Sequence, residues 1–112
     1  MPLISIVVPC YNEQESLPIF LKELDGVVRI MTQQDPEISF EAVLIDDGSA
    51  DKTLAVMKAE AAAAHPYAIR WHSFSRNFGK EAALFAGLQH AKGDYVATMA
   101  VSYTHLRAHE TL

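Results

Sequence analysis

The sequence has little that would tie it to an oxidising or a membrane environment. Its 112 residues include a single cysteine, Cys10, so no disulfide can form within the chain. No stretch approaches the roughly 20 apolar residues of a membrane span. The N-terminus also lacks the basic region of a signal peptide. We therefore expect a cytoplasmic domain.

Positive charge is also scarce. Nine lysines and arginines stand against fourteen aspartates and glutamates, which gives a formal net charge of -5. A chain with this balance is not attracted to polyanions, so nucleic acid is not an expected partner. Hydrophobic residues make up 50% of the chain, the composition of a folded domain rather than of a disordered segment.

The order of apolar patterns predicts an α/β fold. Short apolar runs predict strands over residues 3–8, 40–45, 67–74 and 95–99. The segments between them carry helical signals, with Ser16 and Asp51 as caps of the first two helices and Gly79 at the start of the third. Strands and helices that alternate over short connections predict a Rossmann-like parallel sheet with helices on both faces. Ligands of such sheets bind at the carboxyl ends of the strands.

The end of the first predicted strand carries Pro9, Cys10, Tyr11, Asn12 and Glu13. The tyrosine ring offers a flat face on which a base can stack, and the amide and carboxylate offer polar edges. The same residues also suit a plain turn between strand and helix. A Gly-x-Gly-x-x-Gly pattern is missing here, which argues against a dinucleotide-binding domain.

The end of the second strand carries adjacent acids, Asp46 and Asp47, followed by Gly48 and Ser49. Two neighbouring carboxylates repel each other and are tolerated where a ligand or a cation takes them up. Either acid can accept a hydrogen bond from a base or a ribose hydroxyl, and glycine permits a close backbone approach. An ordinary Asp-Gly turn explains the pattern equally well.

The end of the third strand leads through Arg76 and Lys80 into a helix. A helix N-terminus with a nearby basic side chain is a favourable phosphate site. The Gly79-Lys80 pair is not a P-loop, because the upstream glycine is missing and Glu81 stands where that motif has serine or threonine. Solvated loop charges are the alternative explanation.

Taken together, the motifs at residues 8–13, 45–53 and 75–83 resemble family 2 glycosyltransferases with the GT-A fold. The third motif is most similar to the branch that glycosylates polyprenyl phosphates, which includes bactoprenol glucosyltransferases and relatives of dolichol-phosphate mannose synthase. The resemblance implies a sugar transfer from a UDP- or GDP-sugar to a polyprenyl phosphate, with inversion at C1. It also implies an Mg²⁺ or Mn²⁺ ion on the diphosphate, and an enzyme at the cytoplasmic face of a membrane.

The resemblance also implies roles for individual residues. Nucleotide contacts fall on Pro9, Tyr11, Asn12, Glu13, Asp46, Asp47, Gly48 and Ser49. Of the two adjacent acids, one would read the base, and Asp47 is favoured. Arg76 and Lys80 would lie near the diphosphate or the acceptor phosphate.

The sequence departs from the family where the metal ligands are due. Family members carry Asp-x-Asp directly after the fourth strand, but Ala100, Val101 and Ser102 stand there in this chain. Neither alanine nor valine can ligate a hard cation, and no catalytic or metal-binding residue is assigned. We expect residues 1–99 to be the nucleotide-sugar-binding half of a truncated glycosyltransferase. Residues 100–112 resemble nothing in the family and are expected to be foreign to it.

Three functional hypotheses follow. The first is a glycosyltransferase fragment that is inactive alone and binds nucleotide weakly. The second is a phospho-receiver-like signalling module, since receivers also use paired acids, a lysine and Mg²⁺. The third is a structural fragment without a ligand, which would self-associate through the sheet edge and helix face of an incomplete domain.

Overall fold

The computed structural model describes residues 2–101, in which four strands and three helices alternate along the chain. The elements are β1 (Leu3–Cys10), α1 (Ser16–Gln34), β2 (Ser39–Asp46), α2 (Thr53–Ala62), β3 (Ala68–Ser73), α3 (Lys80–His90) and β4 (Tyr95–Thr98). All paired strands are parallel, in the order β3-β2-β1-β4. The predicted α/β fold is confirmed.

Helices cover both faces of the sheet because apolar side chains of the inner strands point both ways. Along β1, Ile6 and Val8 belong to a large core with α1 and α2, while Val7 belongs to a smaller core with α3. The helical spacing of Leu17, Phe20, Leu21, Leu24, Val27, Val28 and Met31 predicts one apolar face. The first four and Val28 are buried, whereas Val27 and Met31 are exposed. None of the helices among residues 2–101 is both long and apolar enough to cross a membrane.

Pro9 does not end the first strand, contrary to the prediction. β1 continues to Cys10, and Pro9 pairs in register with Ile45 of β2. The Val7 carbonyl faces β4, where it accepts the Met99 N–H. Pro9 stands two residues further along the strand, so its nitrogen, which carries no hydrogen, also faces the β4 side and not β2. β4 pairs only as far as Val7, so a proline just beyond it breaks no pairing.

The predicted helix caps are only partly correct. Ser16 does not cap α1: Glu15 holds that position, and the Ser16 hydroxyl donates to Glu13 instead. Asp51 stands two residues before α2, yet its carboxylate accepts the N–H of Thr53, the first residue of that helix. The wrong assignment of Ser16 has a physical reason. The Ser16 hydroxyl donates to the carboxylate of Glu13, three residues earlier, and the sequence pattern does not show this side-chain contact.

The strand order creates a crevice at the carboxyl end of the sheet. From β1 the chain moves outward to β2 and β3, and it then crosses back through α3 to place β4 on the other side of β1. The chain therefore places β2 on one side of β1 and β4 on the other, so the direction of the strand order reverses at β1. Such a reversal is where open α/β sheets bind their ligands.

Candidate functional site

The loops after β1 and β2 are joined by reciprocal hydrogen bonds. The Asn12 N–H donates to Ser49 Oγ at 2.9 Å, and the Ala50 N–H donates to Asn12 Oδ1 at 2.8 Å. The Glu13 N–H donates to Thr53 Oγ1 at 2.8 Å. Asn12 has a φ of 54°, a left-handed conformation in which asparagine is enriched. Asn12 and Ser49, both predicted nucleotide contacts, thus bond to each other's loops.

Gly48 lets the loop after β3 close over the loop after β2. Its φ is +70°, and a Cβ atom built there would lie 2.1 Å from the carbonyl carbon of Arg76. Backbone cannot move aside as a flexible side chain does, so this contact requires glycine. Gly48 therefore brings residues 75–79 against the acids at the end of β2, and its contact with a nucleotide stays a prediction.

Asp46 is buried and engaged within the protein. It is 3% exposed, Ser49 N–H donates to its Oδ1 at 3.0 Å, and the Ser73 hydroxyl donates to its Oδ2 at 2.9 Å. This carboxylate therefore holds the end of β3 next to the turn after β2.

Asp47 is equally buried, at 3% exposure, and faces the loop before α3. Its Oδ1 accepts the Phe78 N–H at 2.8 Å and the Gly79 N–H at 3.2 Å. Its Oδ2 accepts the Gly79 N–H at 3.1 Å and the Asn77 side-chain amide at 3.0 Å. Both oxygens of the acid favoured for base recognition are therefore already occupied by protein donors.

The two basic residues of the third motif are separated by the fold. The Arg76 guanidinium carbon lies 4.9 Å from the centre of the Phe78 ring, a cation–π contact. Lys80 is the first residue of α3 and lines the cavities described next. Phosphate binding at both residues stays a prediction, but Lys80 alone faces these cavities.

A cavity of about 210 Å³ opens where the strand ends meet. Its walls are formed by Pro9, Cys10, Tyr11, Glu13, Asp47, Lys80, Ala100 and Val101. A second cavity of about 160 Å³ shares Pro9, Lys80 and Ala100 with the first. Pockets for drug-sized ligands usually measure about 300–1,000 Å³, so the first cavity holds only part of a nucleotide sugar.

The structure thus brings Pro9, Tyr11, Glu13, Asp47 and Lys80 together around one cavity. Tyr11 is 47% exposed, so its ring is available for stacking. The remaining predicted contacts do not line either cavity: Asn12, Asp46, Gly48, Ser49 and Arg76. Most of these hold the loops in place, and their contacts with a nucleotide stay predictions.

Cys10 adds no reactive group to the cavity. Burial raises the pKa of its thiol well above the ordinary range, and the nearby carboxylates of Glu13 and Asp46 raise it further. The thiol is therefore protonated at neutral pH, so it offers no thiolate nucleophile there.

The carboxyl end of β4 does not fit the divalent cation that the resemblance implies. Ala100 and Val101 line the cavity, and their alkyl side chains offer no oxygen or nitrogen ligand. Among residues 2–101, no group of three or more histidines, cysteines, aspartates or glutamates is placed to hold a metal ion. Ser102 and the rest of the predicted foreign segment, 103–112, lie outside the described residues.

Sequence reasoning gave no role to Asn77 and no core position to Val101. Asn77 bonds to Asp47, and its position three residues before α3 is a local signal, since asparagine favours such turns. Val101 lies beyond the predicted domain boundary at residue 99, yet it is 1% exposed and packs in the large core. The boundary itself stays a prediction.

A family model described as glycosyl transferase family 2 matches residues 5–101. A bactoprenol glucosyl transferase of Shigella phage SfV is 47% identical over 93 residues, which cover 83% of this chain and 28% of the relative. An undecaprenyl-phosphate 4-deoxy-4-formamido-L-arabinose transferase of Yersinia enterocolitica is 35% identical over 96 residues, or 86% of this chain and 28% of the relative. The chain thus spans little more than a quarter of these relatives.

Among solved structures, a mannosyltransferase from Pyrobaculum calidifontis, in complex with GDP-mannose and Mn²⁺, superposes with a TM-score of 0.66. It is 26% identical, and the match covers 89% of this chain and 27% of that protein. The likeness of the backbone agrees with the parallel sheet described above.

Proposed function

The chain belongs to glycosyl transferase family 2, and from this membership we propose that it forms the nucleotide-sugar-binding part of an inverting hexosyltransferase. The donor is a UDP- or GDP-sugar, and the acceptor is a polyprenyl phosphate. The observation that carries the proposal is the convergence of Tyr11, Glu13 and Lys80 on one cavity at the strand-order reversal.

Each of these three side chains suits one part of a nucleotide. The exposed ring of Tyr11 offers a stacking face to the base. The Glu13 carboxylate, which accepts the Ser16 hydroxyl through Oε1 at 2.8 Å, has a further oxygen for ribose hydroxyls. The Lys80 ammonium supplies the charge that a diphosphate needs.

The acceptor is proposed from the relatives' own names, which specify bactoprenol and undecaprenyl phosphate. These acceptors are lipids, so we place the whole enzyme at a membrane face. In the proposed reaction, an oxygen of the lipid phosphate bonds to C1 of the sugar from the side opposite the nucleotide. The bond between C1 and the diphosphate oxygen breaks, and the nucleoside diphosphate leaves with the electron pair.

We further propose that this chain binds the donor weakly and does not carry out the transfer. The cavity holds only part of a nucleotide sugar. The end of β4 supplies no acidic side chain beside it, because residues 99–101 are methionine, alanine and valine. Residues outside this chain are then needed for the sugar, the acceptor and the leaving-group charge.

A paired-acid signalling module is disfavoured by the burial of both carboxylates. A phosphate-accepting aspartate must be reachable by a phosphoryl donor, whereas Asp46 and Asp47 are each 3% exposed and accept protein hydrogen bonds. Family membership points away from it as well. We therefore propose no receiver function.

The test is calorimetric titration of the folded chain with UDP, UDP-glucose and GDP-mannose, with and without Mn²⁺. We expect weak binding of one base class, which Tyr11→Ala and Lys80→Met both weaken. Lys58→Met serves as the matched control, because Lys58 lies on α2 with its ammonium over the Trp71 ring, away from the cavity. Absence of binding by a folded sample refutes donor binding by this chain and leaves the ligand-free alternative.

A further inference from the structure

We infer that Thr53 is a positioning residue of the donor site, whose buried hydroxyl holds Glu13 so that the glutamate side chain lines the cavity. The inference rests on the proposed function, in that Glu13 is taken as the side chain that meets the ribose. It gives a task to a residue that lines neither cavity.

Three consecutive backbone N–H groups after β1 donate to side chains that follow β2. The N–H groups of residues 12, 13 and 14 donate to Ser49 Oγ, Thr53 Oγ1 and Asp51 Oδ2, at 2.9, 2.8 and 3.2 Å. Backbone donors that are shielded from water need such partners. The segment that carries Tyr11 and Glu13 into the cavity is therefore shaped by side chains of the neighbouring loop and of α2.

Thr53 is the most deeply buried of these three partners. It is the first residue of α2 and is 0% exposed, whereas Ser49 and Asp51 are half-buried. Its hydroxyl donates to Asp51 Oδ1 and accepts the Glu13 N–H. A hydroxyl that donates to a carboxylate becomes a stronger acceptor, because linked hydrogen bonds polarise one another. The Asp51 carboxylate thus strengthens the contact that Thr53 makes with the Glu13 backbone.

Glu13 is held by hydrogen bonds at three points. Its N–H donates to Thr53 Oγ1 at 2.8 Å, its carbonyl accepts the Leu17 N–H at 2.9 Å, and its Oε1 accepts the Ser16 hydroxyl at 2.8 Å. Leu17 and Ser16 belong to the start of α1, so of these three contacts the one with Thr53 alone reaches another element. The Thr53 hydroxyl therefore sets where the Glu13 backbone lies relative to the loop after β2.

Two substitutions separate the hydroxyl of Thr53 from its packing. Thr53→Val keeps the shape of the side chain and removes the hydroxyl, whereas Thr53→Ser keeps the hydroxyl and removes a methyl group. Thr32→Val is the matched control, because the Thr32 hydroxyl donates to the Val28 and Arg29 carbonyls within α1 and Thr32 lines neither cavity.

A double-mutant cycle measures whether Thr53 acts through Glu13. The variants are Thr53→Val, Glu13→Ala and the pair, and UDP and GDP are titrated into each by NMR. We expect each single change to weaken binding of the nucleotide that the wild type binds about fivefold, and the pair to be no weaker than Glu13→Ala alone. Thr53→Ser should restore binding to within about twofold of wild type, and Thr32→Val should leave it unchanged.

A second measurement does not depend on nucleotide binding. In amide NMR spectra we expect the Glu13 proton signal to move upfield in Thr53→Val, since the N–H loses its acceptor, and to stay in place in Thr53→Ser and Thr32→Val. Asp51→Asn keeps the Thr53 hydroxyl but removes the charge that polarises it. It provides the same readout with a smaller shift if Thr53→Val fails to fold.

The outcomes separate this inference from the proposed function. Additive losses, about 25-fold in the pair, would show that Thr53 acts independently of Glu13 and would overturn the inference. An equal loss in Thr53→Ser, or a Glu13 signal that is unchanged in both Thr53→Val and Asp51→Asn, would overturn it as well. If the wild-type chain binds neither UDP nor GDP, the proposed donor binding fails, while a shifted Glu13 signal still supports Thr53 as the residue that holds Glu13.

Discussion

The carboxyl ends of β2 and β4 lie on the two sides of β1, and they differ in almost every respect. At the end of β2, two buried carboxylates accept hydrogen bonds from the loops after β2 and β3. At the end of β4, residues 99–101 offer only alkyl and thioether side chains. The comparison teaches that polar groups at the β2 end fix the geometry of the site, whereas the residues at the β4 end form only part of the cavity wall.

The two strands also differ in burial. Seven of the eight residues of β2 are buried, since β2 lies between β1 and β3 with helices on both faces. All four residues of β4 are exposed, since within residues 2–101 β4 has a neighbouring strand on one side only. A substitution at the β2 end should therefore disturb the whole site, and one on β4 should be tolerated.

The largest effect is expected for Gly48→Ala. The new Cβ would meet the backbone of Arg76 at 2.1 Å in a left-handed conformation. We expect a loss of about 3 kcal/mol or more in the free energy of unfolding, measured by urea denaturation. Gly26→Ala is the control: nothing lies within 4 Å of its Cβ position on α1, so it should add about 0.5–1 kcal/mol. Equal effects would contradict the role assigned to Gly48.

Asp46→Ala and Thr98→Ala compare the two strand ends directly. Removing the Asp46 carboxylate leaves the Ser49 N–H without its acceptor and the Ser73 hydroxyl with only the Phe74 carbonyl at 3.3 Å, which should cost about 2–3 kcal/mol. Thr98 is exposed at the end of β4, so its truncation should stay within about 0.5 kcal/mol. Similar losses in chemical denaturation would show that the two ends carry equal structural weight.

Acidic residues introduced after β4 should reduce the difference between the carboxyl ends of β2 and β4. We expect Ala100→Asp combined with Ser102→Asp to make UDP or GDP binding stronger with Mn²⁺ than without it, by about tenfold, since carboxylates ligate hard cations. The control is the pair Ala100→Asn and Ser102→Asn, which matches size without charge. Calorimetry with and without EDTA measures the difference. No gain from Mn²⁺ in the aspartate pair would show that missing carboxylates are not what this end lacks.

Part of the pH dependence of stability should arise in the loop after β2. Burial raises the pKa of Asp51, but hydrogen bonds from the Thr53 hydroxyl and N–H and from the Gln14 N–H outweigh it and hold the pKa below its ordinary 3.8. A lowered folded-state pKa stabilises the protein above the unfolded value, and this stabilisation is lost as the pH falls through the folded value. Asp51→Asn should therefore be less stable than wild type near neutral pH.

The gap between wild type and Asp51→Asn should shrink as the pH falls below about 3.8, the ordinary value for aspartate. Thermal unfolding from neutral to strongly acidic buffer gives both curves. Glu81→Gln, an exposed acid on α3, should leave the shape of the curve unchanged. A gap that stays constant into acid would contradict the part assigned to the Asp51 carboxylate.

The smallest effect on stability is expected for Val96→Lys on β4. Val96 is 42% exposed and its neighbour Tyr95 is 67% exposed, so a lysine fits there with a change within about 0.5 kcal/mol. We propose that this edge allows copies of the chain to associate, and a lysine on an edge strand opposes such pairing. Sedimentation velocity should then show less oligomer than for wild type. A chain that is monomeric before the change would refute the association.

Much of the site could be read from the chain because its motifs stand at strand ends. Tyr11, Glu13, Asp47 and Lys80 were predicted from three short segments, and the parallel sheet brings all four to one cavity. The sequence pattern could not show which of the predicted residues line the cavity and which hold the loops in place. Asn12 and Asp46 are predicted ligand contacts, and the structure adds that they bond to Ser49, Ala50 and Ser73, which spacing does not show.

The sequence by itself determined that strands and helices alternate, because apolar spacing is a local property that each segment carries alone. It also determined that polar residues follow the strands and that no acid stands at residues 100–102, where the family places acids. Only the tertiary structure decided the strand order and the hydrogen-bond partners of each acid. The donors that engage Asp47 come from residues 77–79, some thirty positions along the chain. A hydrogen bond acts only within about 3 Å, so its partner is fixed by folding and cannot be read from spacing.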